Sequence, residues 1–233
     1  MMGLQSKICM AFLVAIAACS STAQAALIDS FDDRGIVLYV IPGAGTHSAG
    51  EAVGGAIGGY RNVSLTHTGG TGIALLYTNV ANNAKFSFDQ GVNTSAKATI
   101  AWDGGFENPS FEVDLTNAGT SNAIEVLVAG SDNVFDLKFT LYSGADDAST
   151  AMLSVPVTAS PTAYVLPFAD LVAESGAGAD LAKVSAIRME VTGGPAGDIS
   201  IDNIQTVPEP GTLALGLAGA LGIAIVALRR KAA

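Results

Sequence analysis

Two histidines, His47 and His67, are the side chains best suited to act as a general base near neutral pH. His47 lies in the glycine-rich segment Gly43–Gly59 and His67 follows a predicted strand, and neither has a partner at a spacing typical of metal sites. The sequence contains no G-x-S-x-G motif, which marks the nucleophile of many serine hydrolases. A Ser/His/Asp site could still assemble from residues that are distant in sequence, but no local pattern indicates one. We therefore expect no catalytic residues.

Carboxylates are the other abundant reactive groups. The chain has 21 Asp and Glu against 11 Lys and Arg, which gives a formal net charge of −10. A glycosidase needs only two carboxylates, so this abundance makes any chosen pair uninformative. The glycine pairs Gly54-Gly55 and Gly58-Gly59 are not followed by Gly-Lys-Ser/Thr, which argues against a phosphate-binding loop. The surplus of negative charge also repels phosphate backbones and predicts that nucleic acid is not a partner.

Three aromatic side chains, Tyr60, Trp102 and Tyr142, are candidate platforms for sugar rings. Tyr60 follows a glycine pair and precedes Arg61, which combines a planar ring with hydrogen-bonding groups. Tyr142 ends the predicted strand 135–141. Trp102 continues the apolar side of an alternating strand, so packing in the core is the favoured interpretation for it.

The elements that must position these side chains are short β-strands. Apolar and polar residues alternate in many short runs, with Gly, Asn and Asp between them, which is typical of an all-β protein. No segment repeats at a fixed period. The sequence therefore predicts an antiparallel, jelly-roll-like β-sandwich, with a mobile loop over Gly43–Gly59 and one short helix over Phe168–Glu174. The predicted strands are Ile36–Ile41, Arg61–Thr66, Ile73–Tyr77, Lys85–Asp89, Ala96–Trp102, Phe111–Leu115, Ile124–Val128, Phe135–Leu141, Met152–Val157, Ala163–Leu166, Ile187–Val191 and Ile199–Ile204.

The first 25 residues have the pattern of a Sec-type signal peptide. Lys7 precedes the apolar run Ile8–Ala18, and Ala23-Gln24-Ala25 forms an A-x-A cleavage site before Ala26. The apolar run has about 11 residues, too few to cross the hydrocarbon core of a bilayer as a helix. The sequence therefore predicts that the body begins at Ala26 after export.

The two cysteines of the chain, Cys9 and Cys19, both lie in this leader. The exported body would then have neither a disulfide nor a thiol nucleophile, which excludes cysteine proteases, zinc fingers and iron–sulfur proteins. One alternative concerns the leader itself. Ile16-Ala17-Ala18-Cys19 resembles a relaxed bacterial lipobox, in which Cys19 would be lipidated and become the first residue.

The last 26 residues combine a proline-rich tripeptide, an apolar span and a basic tip. Pro208-Glu209-Pro210 leads into Thr212–Leu228, 17 residues without a charge, and then into Arg229-Arg230-Lys231. At 1.5 Å per residue the span covers roughly 25 Å, just enough for the core of a bilayer. The trailing cations are costly to translocate and should stay in the cytoplasm. The sequence therefore predicts a transmembrane helix over 212–228 in the inner membrane, with the body outside; an ordinary single-pass anchor would look the same.

The order of these three parts resembles the PEP-CTERM sorting signal of Gram-negative bacteria. In that family a membrane-embedded exosortase recognises the tripeptide, cuts near it and releases or transfers the protein, often in bacteria that make an extracellular polysaccharide matrix. The resemblance implies an exosortase-type sorting peptidase as partner, with Pro208, Glu209 and Pro210 as its recognition residues. The chain would then divide into a signal peptide (1–25), a β-sandwich (26–207) and a sorting signal (208–233).

The body resembles the galactose-binding-like jelly rolls, a fold shared by many carbohydrate-binding modules. The likeness is carried by the opening Leu27–Asp33 and by the closing segment Asp180–Ile204. In such jelly rolls the first and last strands lie near each other, and a structural calcium is common there. The resemblance implies Asp32, Asp33 and Asp202 as oxygen ligands for calcium. Solvated carboxylates at strand ends are the alternative interpretation.

Together these patterns predict an exported, acidic, noncatalytic β-sandwich that is briefly tethered to the inner membrane. It would then be sorted to the cell surface or the extracellular matrix. The predicted role is structural or adhesive. A carbohydrate-binding module for extracellular polysaccharide is the alternative, and an enzyme that acts on such a polysaccharide is the third hypothesis.

Overall fold

The computed structural model describes residues 25–80, 84–105 and 111–208. The predicted signal peptide up to Gln24, the motif residues Glu209 and Pro210, and the predicted helix over 212–228 lie outside these ranges. Within the three ranges, no helix has both the length and the apolar character needed to cross a membrane. The residues Ala25–Val207 form one compact unit.

The described residues form strands and two single-turn 3-10 helices, Ile57–Gly59 and Phe168–Asp170. The strands are β1 (Leu27–Asp29), β2 (Val37–Val40), β3 (Thr46–Ala52), β4 (Tyr60–Gly70), β5 (Ala74–Thr78), β6 (Phe86–Gln90), β7 (Thr94–Trp102), β8 (Ser121–Ser131), β9 (Phe135–Ser143), β10 (Asp147–Val155), β11 (Thr162–Pro167), β12 (Val172–Ser175), β13 (Ala186–Gly193) and β14 (Asp198–Pro208).

The strands assemble into two seven-stranded sheets within the described part of the chain. Sheet A has the order β11-β8-β14-β6-β5-β2, and β1 also pairs with β14. Sheet B has the order β12-β10-β9-β13-β7-β4-β3. Strands that are adjacent in the sheets are often far apart in sequence, as in a jelly roll. The predicted antiparallel β-sandwich is confirmed.

The core lies between the sheets, where the alternating strands place every second side chain. On β9 of sheet B, the side chains of Phe135, Leu137, Phe139 and Leu141 are fully buried. They share one core with the buried apolar residues of β8 and β14 from sheet A. Phe88 of sheet A meets Phe135 of sheet B edge to face, with ring centroids 6.1 Å apart. The period-2 pattern thus buries one side of each strand and leaves the other side outward.

Three local expectations were wrong. The glycine-rich segment is not a mobile loop, because Thr46–Ala52 pairs with β4 as the edge strand β3. An edge strand with alternating exposure needs few apolar side chains, which is why its pattern was weak. Phe111–Leu115 makes only a bridge at Val113, since the Asp114 carboxylate accepts the N–H groups of Thr116 and Ala118 in a turn. The helix predicted over 168–174 is a single turn followed by strand β12.

A buried ionic cluster links β1 of sheet A to sheet B. The Arg61 guanidinium donates from Nη1 to both carboxylate oxygens of Asp29 at 2.9 Å and from Nη2 to Glu51 at 2.5 Å. Trp102 Nε1 and the Phe31 N–H also donate to Asp29, at 2.8 and 2.9 Å. Burial raises the pKa of Asp29, whereas the charge of Arg61 and these hydrogen bonds oppose the rise.

Candidate functional site

The outward face of sheet A carries exposed apolar and aromatic side chains at one side. The register of β2 and β5 pairs Val37 with Tyr77 and Tyr39 with Leu75. The side chains of Val37 and Tyr39 are 60% and 56% exposed, and Ile41 and Ile73 extend the surface at the strand ends. We call Val37, Tyr39, Leu75 and Tyr77 the apolar strip. Contiguous exposed apolar surface of this kind is typical of a binding surface.

Hydrogen-bonding groups lie on the next two strands of the same face. β6 and β14 pair Ser87 with Ser200 and Asp89 with Asp198. The two serine hydroxyls are 3.0 Å apart. The register of β5 and β6 pairs Leu75 with Asp89 and Tyr77 with Ser87, so the apolar strip borders these polar residues. We call Ser87, Asp89, Asp198 and Ser200 the polar rows.

Asp198 and Ser200 of the polar rows line a groove with a volume of about 510 Å³. Its other walls are the end of β8 (129–132), the connection 157–159 and Lys85 before β6. The Asp132 carboxylate accepts the Asp198 N–H at 2.6 Å, and the Asp132 N–H donates to the Asp198 carbonyl at 3.1 Å, which fixes this end of the groove. The groove therefore has two carboxylates and one ammonium group in its walls.

The carboxylates of this face repel one another. Burial raises the pKa of Asp89, and the charge of Asp198 raises it further. Burial also raises the pKa of Asp198, with a second contribution from Asp132. Burial and then the charge of Asp89 raise the pKa of Tyr77. In the described part of the chain, none of the three aspartates forms an ion pair with Lys or Arg.

We expect Asp198→Asn to raise the free energy of unfolding at neutral pH by about 0.5 kcal/mol, because like charges directly opposite each other on neighbouring strands destabilise a sheet. The pKa values of Asp89 and Asp198 are raised above 3.8, so the folded protein binds these protons more tightly than the unfolded chain does. Protonation of these two carboxyl groups therefore stabilises the folded state. This stabilisation is complete below pH 3.8 and is lost as the pH rises through the raised pKa values.

Urea denaturation across this pH range tests the expectation. The advantage of the variant should shrink as the pH falls, because the wild-type carboxylates become protonated. Asp170→Asn, an exposed carboxylate in the Phe168–Asp170 turn, is the matched control and should change little. A variant no more stable than wild type at neutral pH would show that the repulsion is unimportant.

Trp102 is not a surface platform. Its side chain is fully buried and donates to Asp29, because the apolar side of β7 faces the core. Tyr60 and Tyr142 are half-buried on sheet B, on the face opposite to the apolar strip. β4 and β9 are separated by β7 and β13, so the two strands lie about 14 Å apart at 4.8 Å per strand. The structure brings neither of them to the face of sheet A.

The predicted calcium ligands do not form one site. Asp32 accepts a hydrogen bond from Ser30 at 2.5 Å, Asp33 accepts the Gly55 N–H, and Asp202 lies within β14. Among the described residues, no three His, Cys, Asp or Glu side chains are placed to bind a metal ion. Asp32 and Asp33 follow β1 and fold back onto the loop at Gly55, so their carboxylates accept hydrogen bonds from neighbouring residues of the chain.

Neither histidine belongs to the apolar strip or the polar rows. The His47 ring on β3 lies edge to face with Tyr39, with centroids 6.0 Å apart. His67 Nε2 is buried and lacks a hydrogen-bond partner in the described structure. Sequence reasoning missed Tyr39, Tyr77, Asp89 and Asp198. The period-2 pattern of their strands signals that they point outward, but only the strand order shows that they share a face.

The comparison with protein families concerns the end of the chain. Residues 206–231 match the family described as the PEP-CTERM protein-sorting motif. This chain carries a PEP-CTERM sorting signal. The signal implies recognition by an exosortase, export and sorting to the cell surface. The PEP-CTERM match begins at Thr206, which is still part of β14.

The body that precedes the PEP-CTERM signal is similar to solved carbohydrate-binding modules. The family 11 carbohydrate-binding module from Clostridium thermocellum, in complex with a β-1,3-1,4-mixed-linked tetrasaccharide, has 13% identity and a TM-score of 0.40 over 81% of this chain and 98% of that one. The family 30 module of a cellulosomal cellulase of the same organism has 14% identity and a TM-score of 0.41 over 78% and 97%. No curated protein sequence matches this chain. Likenesses with TM-scores below 0.5 carry no argument about the ligand or the role of this chain.

Proposed function

We propose that this exported protein binds polysaccharide on the outward face of sheet A and thereby acts as an adhesive component of the cell surface or the extracellular matrix. The observation that supports it best is the register that places the apolar strip beside the polar rows. A sugar ring has an apolar C–H face and an edge of hydroxyl groups. A surface that binds it needs a flat apolar platform next to hydrogen-bonding side chains.

The apolar strip supplies the platform. Tyr39 and Tyr77 have large, stiff side chains, so they lose little conformational entropy when a ligand covers them. Leu75, which is 38% exposed, lies at the border between the apolar strip and the polar rows. It is opposite Tyr39 of β2 on one side and Asp89 of β6 on the other. A sugar ring on Tyr39 would therefore be one strand away from Leu75 and two strands away from the carboxylate of Asp89.

The polar rows supply the hydrogen-bond partners. Ionised carboxylates accept from sugar hydroxyls, and the half-buried Ser200 hydroxyl both donates and accepts. The Ser87 hydroxyl is buried and contacts Ser200 instead of the ligand. The Ser87–Ser200 contact holds the two serine hydroxyls in place before a ligand arrives. Side chains on paired strands are more rigidly placed than side chains on loops, so little binding free energy is lost to ordering. The neighbouring groove gives a chain of sugars room to continue.

Affinity electrophoresis in gels that contain the host's own matrix polysaccharide tests the proposal. We expect Tyr39→Ala to weaken binding about tenfold, a typical loss for an exposed aromatic contact. Its exposed side chain should leave the fold intact, as thermal unfolding can verify. Tyr142→Ala, on sheet B, is the matched control and should bind like the wild type. If the control loses binding and Tyr39→Ala does not, the glycan site is on sheet B and the assignment is wrong.

A second candidate function, hydrolysis of the polysaccharide, is favoured by one observation. Asp89 and Asp198 lie directly opposite each other beside a groove, and both pKa values are raised. Paired carboxylates with a raised pKa are the groups that a glycosidase uses. Release of new reducing ends in the same incubations, abolished in Asp89→Asn, would replace binding by hydrolysis as the function. Binding without new reducing ends would exclude it.

A further inference from the structure

The end of β14 is held by β1 on one side. The Thr206 N–H donates to the Ala26 carbonyl at 2.8 Å, and the Thr206 hydroxyl accepts the Ala26 N–H at 2.8 Å. Leu27 and Gln205 are opposite each other in the register. The first residues after the predicted signal peptide therefore clamp the last residues before the PEP tripeptide. We call these contacts of Ala26 and Leu27 with Gln205 and Thr206 the terminal clamp.

β8 holds the same segment from the other side. Gln205 Nε2 donates to Glu125 Oε1 at 2.9 Å, and the hydroxyls of Thr206 and Ser121 are 3.5 Å apart. The side chains of Ile204 and Thr206 are fully buried. Only Val207 separates a fully buried residue from Pro208, the first residue of the tripeptide. The folded body thus reaches the sorting signal without a linker, and the two overlap at Thr206.

This overlap conflicts with the needs of a peptidase. A peptidase binds its substrate as an extended chain over several residues, and a strand that is paired on both sides cannot enter its active site. When cleavage requires a local opening, its rate follows the population of the open form. We propose that removal of the tail by the sorting peptidase requires Gln205–Val207 to detach from β1 and β8, so that the terminal clamp sets the rate of processing.

A disulfide across the clamp tests the proposal in the full chain. Leu27→Cys with Gln205→Cys joins residues that are opposite in the register, and the predicted body has no other cysteine to compete. The chain is expressed in a host with its own exosortase, and loss of the tail is followed by intact mass after a pulse of synthesis. We expect the oxidised variant to lose the tail about tenfold more slowly than wild type, because the open state is blocked. A reductant should restore the wild-type rate.

The matched control is a disulfide in sheet B, Lys97→Cys with Thr192→Cys, which are also opposite each other on paired strands. It should be processed at the wild-type rate. Equal rates for both disulfide variants and wild type, or equal slowing of both variants, would overturn the proposal. Replacement of Pro208-Glu209-Pro210 by alanines separates this question from sorting itself, because that variant should keep its tail whether or not the clamp exists.

A variant that weakens the terminal clamp should change the rate of tail removal in the opposite direction. Glu125→Ala removes the acceptor of the Gln205 side chain and leaves residues 206–231 unchanged. The loss of one partly buried hydrogen bond should raise the open population and speed tail removal about twofold to fivefold. An unchanged rate in this variant, together with a normal rate in the locked one, would show that the strand end is already open when the peptidase acts.

Discussion

Replacement of Arg61 by methionine is expected to lower the free energy of unfolding by about 3–5 kcal/mol, the usual cost when one partner of a buried ion pair is removed. Arg61 is fully buried and is the cation that neutralises Asp29 and Glu51. Methionine fills a similar volume, so the loss measures the two carboxylates left without their partner rather than an empty cavity. Trp102, the single tryptophan of the chain, contacts Asp29 and reports unfolding in urea by its fluorescence.

The same variant should have a distinctive dependence on pH. Without the Arg61 charge, burial raises the pKa of Asp29 with less opposition, so the carboxyl binds a proton more tightly in the folded state. A raised pKa contributes stability that is complete at low pH and is lost as the pH rises. The difference from wild type should therefore narrow as the pH falls. A difference that is constant with pH would mean that the loss comes from packing.

Arg188→Met is the matched control for this substitution. Arg188 pairs with Glu190 at 2.5 Å, but its side chain is 40% exposed. Exposed ion pairs contribute little because water screens them, so we expect a change within about 0.5 kcal/mol. A loss at Arg188 as large as the loss at Arg61 would show that burial is not the cause.

Gly70→Ala is expected to destabilise the protein by about 3 kcal/mol or more, because the chain around it leaves no room for a side chain. Gly70 ends β4 after a register shift between His67 and Gly69, and its φ is +89°. A Cβ atom there would lie 1.8 Å from the Asn93 carbonyl oxygen, which accepts the Thr71 N–H at 2.9 Å. The backbone would have to move and lose this hydrogen bond.

Gly69→Ala tests whether this cost comes from the site or from glycine itself. The nearest atom to a Cβ at Gly69 is the Ser95 Cβ, at 4.0 Å, an ordinary contact distance. Its loss of stability should stay below about 1 kcal/mol, and a gain is expected if the backbone tolerates alanine. Thermal unfolding of both variants under the same conditions gives the comparison. Equal losses would contradict the steric explanation.

The alternation of apolar residues was sufficient to predict the class of fold and the main strands. Phe135–Leu141 and Ala96–Trp102 were placed correctly, because each strand buries one side in a core shared by both sheets. The order of the strands within each sheet could not be predicted from the sequence. Asp29 and Arg61 are 32 residues apart, and nothing in their local sequence indicates that they pair. Pairing over such distances depends on the packing of the whole body.

The candidate site was missed for the same reason. Tyr39 and Tyr77 lie on strands separated by more than thirty residues, and Asp198 comes from the end of the chain. Each strand shows which of its side chains point outward, but not which strand lies beside it. Tyr60 and Tyr142 were predicted as platforms for sugar rings because of their immediate neighbours in sequence. A glycan surface on a sheet is instead built across strands, where local sequence carries no signal.

The position of β14 also determines how the body would carry a mechanical load. If the body binds a matrix while its tail is still anchored, it would be pulled along β14, which lies between β8 and β6 in the interior of sheet A. A pull along this axis would shear the hydrogen bonds on both sides of the strand at once, whereas an edge strand under tension can be unzipped bond by bond. The body should therefore resist force applied through its tail far better than force that peels away the edge strand β2 or β12.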